Sequence, residues 1–233
     1  MRRYGMRRSV TMWTGFVTMA LSPGIVPAQT GTASVLRWDV GAGTDGTSAL
    51  TAIGLSRLWP VAAGGRVRVG AGARWSSWIG GSQSLATADP ALIRDGRVDS
   101  LIVPVGWHSA MNVGVHLALQ ATDRVALGAN LDVFGWSWGT SQVGTLRLLG
   151  APVGQRVTAN PQQWNRFGGG SRDRGTLASE FWVGWDVRRD VRLRAGLNHF
   201  VLEQTTPTLG TGGNTRHRRF GNAVFVSLGR LVR

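Results

Sequence analysis

The sequence predicts an all-β protein: an eight-stranded antiparallel up-and-down transmembrane β-barrel with short periplasmic turns and long extracellular loops. Three observations lead to this fold class. Apolar residues alternate with small or polar residues in eight segments, as in strands whose two faces have different surroundings. The connections between these segments alternate between short turns and long loops. The first 28 residues have the composition of a secretory signal peptide.

Composition excludes several classes of protein. The 233 residues include 26 basic residues, all of them arginine, against 12 acidic residues, with 34 glycines, 11 tryptophans and no cysteine. The absence of cysteine excludes disulfide frameworks, thiolate metal sites and cysteine nucleophiles. Charged residues make up 16% of the chain, below the roughly 25% of soluble domains. Glycine and tryptophan together favour sheet, because glycine weakens helices and aromatic side chains favour strands.

Residues 1–28 are predicted to direct export. Four arginines precede an apolar run over residues 10–21, and Pro23 and Gly24 interrupt that run. An uncleaved membrane anchor would need about 20 uninterrupted apolar residues. A cleaved signal peptide is therefore expected, with cleavage before Gln29.

Removal of this segment leaves residues 29–233 as a single barrel domain. The formal charge falls from +14 to +10, since four arginines are lost. A basic chain commonly binds nucleic acid, but an exported chain meets anionic lipid head groups instead. The expected partners are outer-membrane lipid and lipopolysaccharide, and no nucleic acid.

The longest alternating segment runs from Leu101 to Ala121. Ten of its eleven odd positions are apolar, and at about 3.3 Å per residue it would extend about 70 Å. We therefore expect it either to bend at Pro104 or Gly106 or to project beyond the membrane. A tight turn at Thr122 leads into its partner strand. The eight predicted strands cover residues 36–40, 53–59, 67–75, 101–121, 125–133, 177–187, 191–197 and 224–228.

The loops provide a second test of the fold. Those after the third, fifth and seventh strands are long, at Gly80–Asp99, Gly139–Gly175 and Thr205–Arg219, whereas the connections after the second, fourth and sixth strands are short. Only the loop near residues 44–47 is shorter than the pattern requires. An even number of strands places both termini at the periplasmic end.

The polar face of the strands decides which side faces lipid. It combines both signs of charge with many glycines, whereas a solvent-facing surface would carry long charged side chains. An eight-stranded barrel has an interior just wide enough for side chains to fill, so we expect a lumen closed by ion pairs. The predicted network consists of Arg37, Asp39, Arg68, Arg74, Asp132, Glu180, Asp186, Arg192 and Arg194.

Tryptophans are expected at the membrane interfaces. Most strand tryptophans have the outward parity, whereas three have the inward parity and are predicted to pack in the lumen or to follow a bulge. The outward group is Trp38, Trp59, Trp75, Trp107 and Trp185, and the inward group is Trp136, Trp138 and Trp182.

These features resemble those of the small outer-membrane barrels of the OmpA and OmpX type. The resemblance covers residues 34–233 and is one of pattern: alternation, loop lengths, a signal peptide and a closing strand that reaches the C-terminus. It implies a location in the bacterial outer membrane and insertion by the barrel-assembly machinery. Such chains commonly end in an aromatic residue that this machinery reads, and here residues 229–233 are Gly-Arg-Leu-Val-Arg.

The sequence predicts no catalytic residues, no metal site and no cofactor. His108 and Ser109 are adjacent but point to opposite faces of a strand. His199 and Glu203 share a face about 13 Å apart, which is too far for a catalytic dyad. The glycine-rich segment at residues 168–171 lacks the strand-to-helix junction of a phosphate-binding loop.

Arginines are concentrated in the predicted outer loops. Residues 139–175 contain five arginines and one acid, Asp173, and residues 216–219 contain three arginines and no acid. Because arginine binds phosphate in a bidentate manner, they could contact lipopolysaccharide phosphates, and the alternative is a solvated basic rim. The hypothesis names Arg172, Arg174, Arg216, Arg218 and Arg219.

The expected function is a structural or surface-interaction role in the outer membrane, with an extracellular partner that the sequence leaves open. Three alternatives stay open: a lipid-modifying barrel enzyme, a small-solute pore, and a soluble periplasmic ligand-binding barrel. The first needs a nucleophile and a base that meet at the outer rim.

Overall fold

The structure is a computed structural model, and it describes residues 33–104 and 106–232. These residues form one antiparallel sheet of 13 strands and one short helix, α1 (Pro90–Arg94). Among them there is no helix with the length and apolar character needed to cross a membrane. The predicted signal peptide lies outside the described residues.

The sheet closes into a ring of long strands. The pairing runs from each ring strand to its neighbour and returns from the last strand to the first. The ring strands are β1 (Val35–Thr44), β2 (Ser48–Ala62), β3 (Val67–Gly80), β6 (Gly106–Gln120), β7 (Val125–Gly139), β11 (Leu177–Asp186), β12 (Val191–Thr205) and β13 (Arg216–Val232).

The predicted total of eight strands is too low. The sheet contains 13 strands, and the ring passes through eight of them. The other five strands are short: four of them lie within two segments that the sequence predicts to be loops, and one is the start of the predicted strand over residues 101–121. They are β4 (Gln83–Thr87), β5 (Ser100–Val103), β8 (Gln142–Arg147), β9 (Gln155–Pro161) and β10 (Trp164–Arg166).

The register fixes the tilt of the ring strands. We follow the register from Val67 on β3 to its partner on the next strand, and so on once around the ring. The path returns to β3 at Ser77, so the stagger of the ring is ten residues. With about 3.3 Å per residue and about 4.8 Å between strands, this stagger tilts the strands by about 41° from the barrel axis. A closed ring leaves no edge, so backbone groups pair within the sheet.

A second, smaller ring lies at the long-loop end. It runs β12, β9, β8, β5, β4, β13 and closes because β12 and β13 also pair with each other. We call strands β4, β5, β8 and β9 with their connecting loops the loop cap. Its own hydrophobic core consists of Leu85, Leu101, Val103, Leu146, Val157 and Ala159.

The predicted strand over residues 101–121 is divided at Pro104. Proline has no N–H to donate to a ladder, and residues before and after it pair with different neighbours. β5 pairs with β4 and β8, whereas β6 pairs with β3 and β7. The chain thus bends at Pro104, as expected, and there it passes from the loop cap into the main ring.

A bulge in β7 reverses the parity of its upper half. Val113 pairs with Phe134 and Gly114 pairs with Asp132, so Val133 is the extra residue. Beyond it the even positions face outward, and Trp136 and Trp138 are exposed. Of the two positions predicted for the inward tryptophans, Trp136 and Trp138 therefore have the one beyond a bulge. Trp182 has the other, because it is buried inside the ring.

The connections alternate in length as the sequence predicts. Three short turns join β2 to β3, β6 to β7 and β11 to β12 at one end of the ring, which also holds residues 33 and 232. At the other end, the loop cap and the β12–β13 connection form the long-loop end, and the short β1–β2 connection lies there too.

Candidate functional site

Nine charged residues predicted for the lumen are all buried inside the ring. Inward parity places them there, because ring strands direct alternate side chains into the lumen. Eight of them form ion pairs with one another. The ninth, Arg68, donates from Nε to the Gly65 carbonyl at 3.1 Å and from Nη1 to the Ala33 carbonyl at 3.0 Å.

Arg74 is the centre of the upper part of this network. Its guanidinium lies 2.7 Å from an Asp132 carboxylate oxygen and 2.5 Å from a Glu180 oxygen, and it donates to the Ala178 carbonyl at 2.9 Å. A buried cation that neutralises two carboxylates avoids the cost of isolated buried charge.

Amide side chains occupy the remaining lone pairs of these carboxylates. Asn112 donates to Asp132 at 2.8 Å, and Asn130 donates to Glu180 at 2.6 Å. Asn130 also contacts His116 at 2.7 Å. These amides are missing from the network predicted from the sequence, although their inward parity could have indicated them.

A second group of ion pairs lies nearer the short-turn end. Arg192 binds Asp186 in a bidentate manner, at 2.6 and 2.9 Å, and Arg194 lies 2.5 Å from Asp39. Asp39 also lies 3.4 Å from Arg37. Asp186 and Arg192 are direct cross-strand partners, so their pairing follows from the register.

Trp182 fills the space between these arginines. The guanidinium carbons of Arg37, Arg192 and Arg194 lie 5.6, 6.0 and 5.3 Å from the centroid of its ring, within the range of cation–π contacts. Gly128 faces the ring so closely that a Cβ there would overlap it. The glycine is therefore required by the packing of the tryptophan.

An apolar layer closes the lumen above the charged layers. Trp78 and Phe200 pack with ring centroids 5.9 Å apart and are each 1% exposed. Leu50, Ala110 and Leu202 belong to the same cluster. Charged and apolar layers together fill the interior, so the described lumen contains side chains throughout.

Arg218 joins three segments at the long-loop end. It is buried, it donates to the Ala88 carbonyl of the first long loop and to the Ser171 carbonyl of the second, at 3.1 Å for Ser171, and it lies 3.8 Å from Glu203. Arg216 binds the same Glu203 at 2.6 and 3.0 Å. Both arginines thus pair with a buried carboxylate of the fold.

Arg219 is paired as well, with Asp45 at 2.6 Å. Residues 216–219 contain no acid, but two acids from other parts of the chain pair with these arginines. Asp45 lies in the β1–β2 loop, and Glu203 lies on β12. Arg172 and Arg174 differ, because both are exposed. The structure therefore separates the five arginines of the phosphate hypothesis into three that are paired internally and two that face solvent.

Asp99 connects three loops of the long-loop end. It is 1% exposed and accepts from the Thr211 N–H and hydroxyl, both at 2.6 Å, and from the Leu149 N–H at 2.8 Å. Burial alone would raise the pKa of Asp99, but these hydrogen bonds outweigh it and lower the pKa. The carboxylate is therefore held in its ionised form.

His217 lies fully buried beside this carboxylate. Its Nε2 lies 3.3 Å from the Asn214 amide nitrogen. Burial lowers its pKa from 6.5, and the charge of Asp99 offsets this only in part. The neutral imidazole is the form that the loop cap accommodates.

The histidine and serine considered for catalysis are separated as expected. His108 faces inward and lies 3.0 Å from the Thr176 hydroxyl, whereas Ser109 lies on the outer face beneath Trp107, with its hydroxyl 3.0 Å from that of Ser77. The two side chains cannot act together.

A different polar row crosses the outer face of three ring strands. Ser179, His199 and Asn222 are register partners on β11, β12 and β13. His199 Nδ1 lies 2.8 Å from the Asn222 amide oxygen, and Phe220 stacks on the imidazole at 6.1 Å. Glu203, which the sequence predicts to be too far from His199 for a dyad, is buried.

No known protein family and no curated protein matches this chain. Among solved structures it is similar to Ail, the attachment invasion locus protein of Yersinia pestis, which was solved in complex with the heparin analogue sucrose octasulfate. The two chains are 8% identical, the match covers 85% of this chain and 97% of Ail, and the TM-score is 0.33.

Proposed function

We propose that this protein is a bacterial outer-membrane β-barrel with a structural or surface-interaction role, and that its ring spans the outer membrane with a closed lumen. In this proposal residues 1–28 direct export, the short-turn end faces the periplasm and the loop cap faces outward. The barrel-assembly machinery would insert the chain, and outer-membrane lipid and lipopolysaccharide would surround it.

The distribution of apolar and charged side chains carries the proposal. A soluble barrel buries apolar residues inside and exposes polar ones, whereas this ring does the reverse: the lumen is charged and the outer wall is apolar. Every ring strand contributes exposed apolar side chains. The most exposed include Ile53, Leu55, Val113, Phe181, Val183, Leu197, Val224 and Val226, each more than half exposed.

The height of this apolar wall fits a membrane. Leu119 and Trp107 mark its two ends on β6, twelve residues apart. With a rise of about 3.3 Å per residue and a tilt of about 41°, the wall is about 30 Å tall. Hydrocarbon requires every backbone group to be paired internally, and a closed ring meets this requirement.

Aromatic side chains border the wall at both ends. Trp59 and Trp185 are exposed near the short turns, and Trp107, Trp136 and Trp138 are exposed toward the long loops. Tryptophan prefers the level of the lipid head groups, where its apolar ring and its N–H are both satisfied.

Fractionation of cells with a heat-modifiability gel tests the proposal. We expect the protein in the outer-membrane fraction, extractable only with detergent, and migrating faster unboiled than boiled. Removal of residues 2–28 should leave it in the cytosol. A preparation that stays in solution without detergent would favour the soluble-barrel alternative.

Lipid modification is a second candidate function, because Ser179, His199 and Asn222 form a row on the outer wall. A nucleophile beside a histidine that an amide orients is an arrangement used for acyl transfer. Mass analysis of lipid A after overexpression, with Ser179→Ala as the matched variant, tests it. A lipid A change that Ser179→Ala abolishes would support this candidate.

A further inference from the structure

Two arginines lie directly opposite each other beside the outer wall. Arg166 and Arg174 form an antiparallel bridge, in which the N–H of each donates to the carbonyl of the other at 2.9 Å. Opposed residues in such a bridge direct their side chains to the same side, with Cβ atoms about 4.5–5.5 Å apart. Both side chains are exposed. Two like charges in this position repel each other.

The nearby carboxylate does not relieve this repulsion. Asp173 is the only acid between residues 140 and 176, and it is 7% exposed. It accepts from the N–H groups of Gly168 and Gly169, both at 2.8 Å, and so organises the turn. Within residues 33–104 and 106–232, neither guanidinium of the arginine pair has a hydrogen-bond or ion-pair partner.

The pair lies beside an exposed aromatic cluster. Trp164 precedes Arg166 by two residues on β10, and its ring lies 4.5 Å from that of Trp136 and 5.8 Å from that of Phe134. Phe134 is the register partner of Arg166. All three rings are 41–51% exposed. Aromatic rings at the upper border of an apolar wall mark the level at which lipid phosphates lie.

We propose that Arg166 and Arg174 form a binding site for the phosphate of an outer-leaflet lipid. Each guanidinium can donate two parallel hydrogen bonds to phosphate oxygens, and one phosphate between them would remove their repulsion. The aromatic cluster would contact the lipid beside its head group, because Phe134 is level with Arg166 and the paired Trp136 and Trp164 lie toward the long-loop end. This inference rests on the proposed function, since it needs the ring to span a membrane. Of the five arginines that the sequence predicts to contact phosphate it keeps Arg174, and it adds Arg166 on β10.

The test uses the full folded chain in phosphatidylcholine nanodiscs that contain a small fraction of phosphatidic acid or, separately, of diacylglycerol. The variant is Arg166→Gln/Arg174→Gln. The matched control is Arg147→Gln/Arg156→Gln, which removes the same charge from two exposed arginines of the loop cap. Native mass spectrometry measures the phosphatidic acid retained by each protein, and a titration gives the apparent affinity.

We expect the Arg166/Arg174 variant to lose at least tenfold in affinity for phosphatidic acid, and the control to lose less than threefold. An Arg166→Lys/Arg174→Lys variant should have an affinity between those of the glutamine variant and the control, because lysine keeps the charge but not the bidentate geometry. The glutamine variant should fold as well as the parent chain, since it removes a repulsion.

Two results would overturn the inference: equal losses in variant and control, which would indicate diffuse attraction, or no loss in either. Competition by inorganic phosphate at millimolar concentration would also overturn it, because the site would then bind free phosphate. Failure of the proposed function is recognised separately, because the chain would then not insert into nanodiscs or show heat-modifiable mobility.

Discussion

Asp99 accepts two hydrogen bonds from Thr211, a residue 112 positions later in the chain, and both are 2.6 Å long. The contact joins the first long loop to the last one. The Leu149 N–H, from the second long loop, donates to the same carboxylate at 2.8 Å. One buried acid thus links all three long connections.

Replacement of Asp99 by alanine should loosen the loop cap without opening the main ring. Three donors would lose a charged acceptor, at a cost of about 2–3 kcal/mol. Hydrogen exchange should become faster for amides of β4, β5 and β8, and heat-modifiable mobility should not change. The matched control is Asp95→Ala, which removes an exposed acid paired with Arg97 and should cost less than about 1 kcal/mol. Equal exchange in the two variants would contradict the role of Asp99.

The loop cap should lose stability as the pH falls from 7 to 5. The pKa of His217 in the folded protein lies below its ordinary 6.5, so the unfolded cap binds the proton more readily. Stability from the neutral imidazole is complete above pH 6.5 and declines below it. Protease sensitivity of the cap in detergent at pH 7, 6 and 5 measures this decline.

A His217→Gln variant provides the control for the pH effect. It should flatten the dependence between pH 7 and 5. It should keep a further loss below about pH 4, because the unfolded cap then binds the Asp99 proton more readily than the folded cap, in which the pKa of Asp99 is lowered from 3.8. A profile that is unchanged in the variant would assign the effect to another group.

The sequence was sufficient to locate the strands of the main ring, which are 10 to 17 residues long. β13 begins earlier than predicted, at Arg216, within the predicted loop over residues 205–219. The short strands outside the main ring could not be predicted in this way, except β5, most of which lies within the predicted strand over residues 101–121. β10 has three residues, and β4 has five, too few for a period of two to be distinguished from chance. Their pairing depends on contacts such as that of β4 with β13, which join segments about 130 residues apart.

Parity also placed the nine charged residues inside the ring, but it did not specify their partners. Glu180 lies on the strand next to that of Arg192 and Arg194, but its ion pair is with Arg74, across the lumen. Arg216 and Arg218 appeared free because no acid is near them in sequence. Glu203 reaches them only through the register of β12 with β13, which periodicity does not define.

Removal of Arg74 should destabilise the barrel more than removal of the whole ionic group around it. An Arg74→Met variant leaves Asp132 and Glu180 buried without their cation, at a cost of about 3–5 kcal/mol. The triple variant Arg74→Met/Asp132→Asn/Glu180→Gln removes all three charges and should recover much of this loss. Urea titration of refolded protein in phospholipid vesicles measures both. A triple variant less stable than Arg74→Met would contradict this account.

A methyl group at Gly128 should disturb the packing of Trp182. A Cβ at this position would overlap the indole ring, and the crowding should cost about 1–3 kcal/mol. Trp182 contacts three arginines, so its displacement should also be visible in near-ultraviolet circular dichroism. Gly81→Ala is the matched control, because a Cβ there has no neighbour closer than 3.9 Å. Similar spectra and stabilities for the two variants would refute the close fit of glycine and tryptophan.

The intact protein should show no single-channel conductance in planar bilayers, because two different layers fill its lumen. Trp78 and Phe200 form the apolar layer, and the ion pairs of Arg74 lie below it. Replacement of both aromatic residues by alanine should leave the current at zero, since the charged layer is still complete. Additional replacement of Arg74, Asp132 and Glu180 by serine should produce small, short-lived steps. Steady conductance by the unmodified chain would instead favour the solute-pore alternative and would show that the side chains in the lumen move apart.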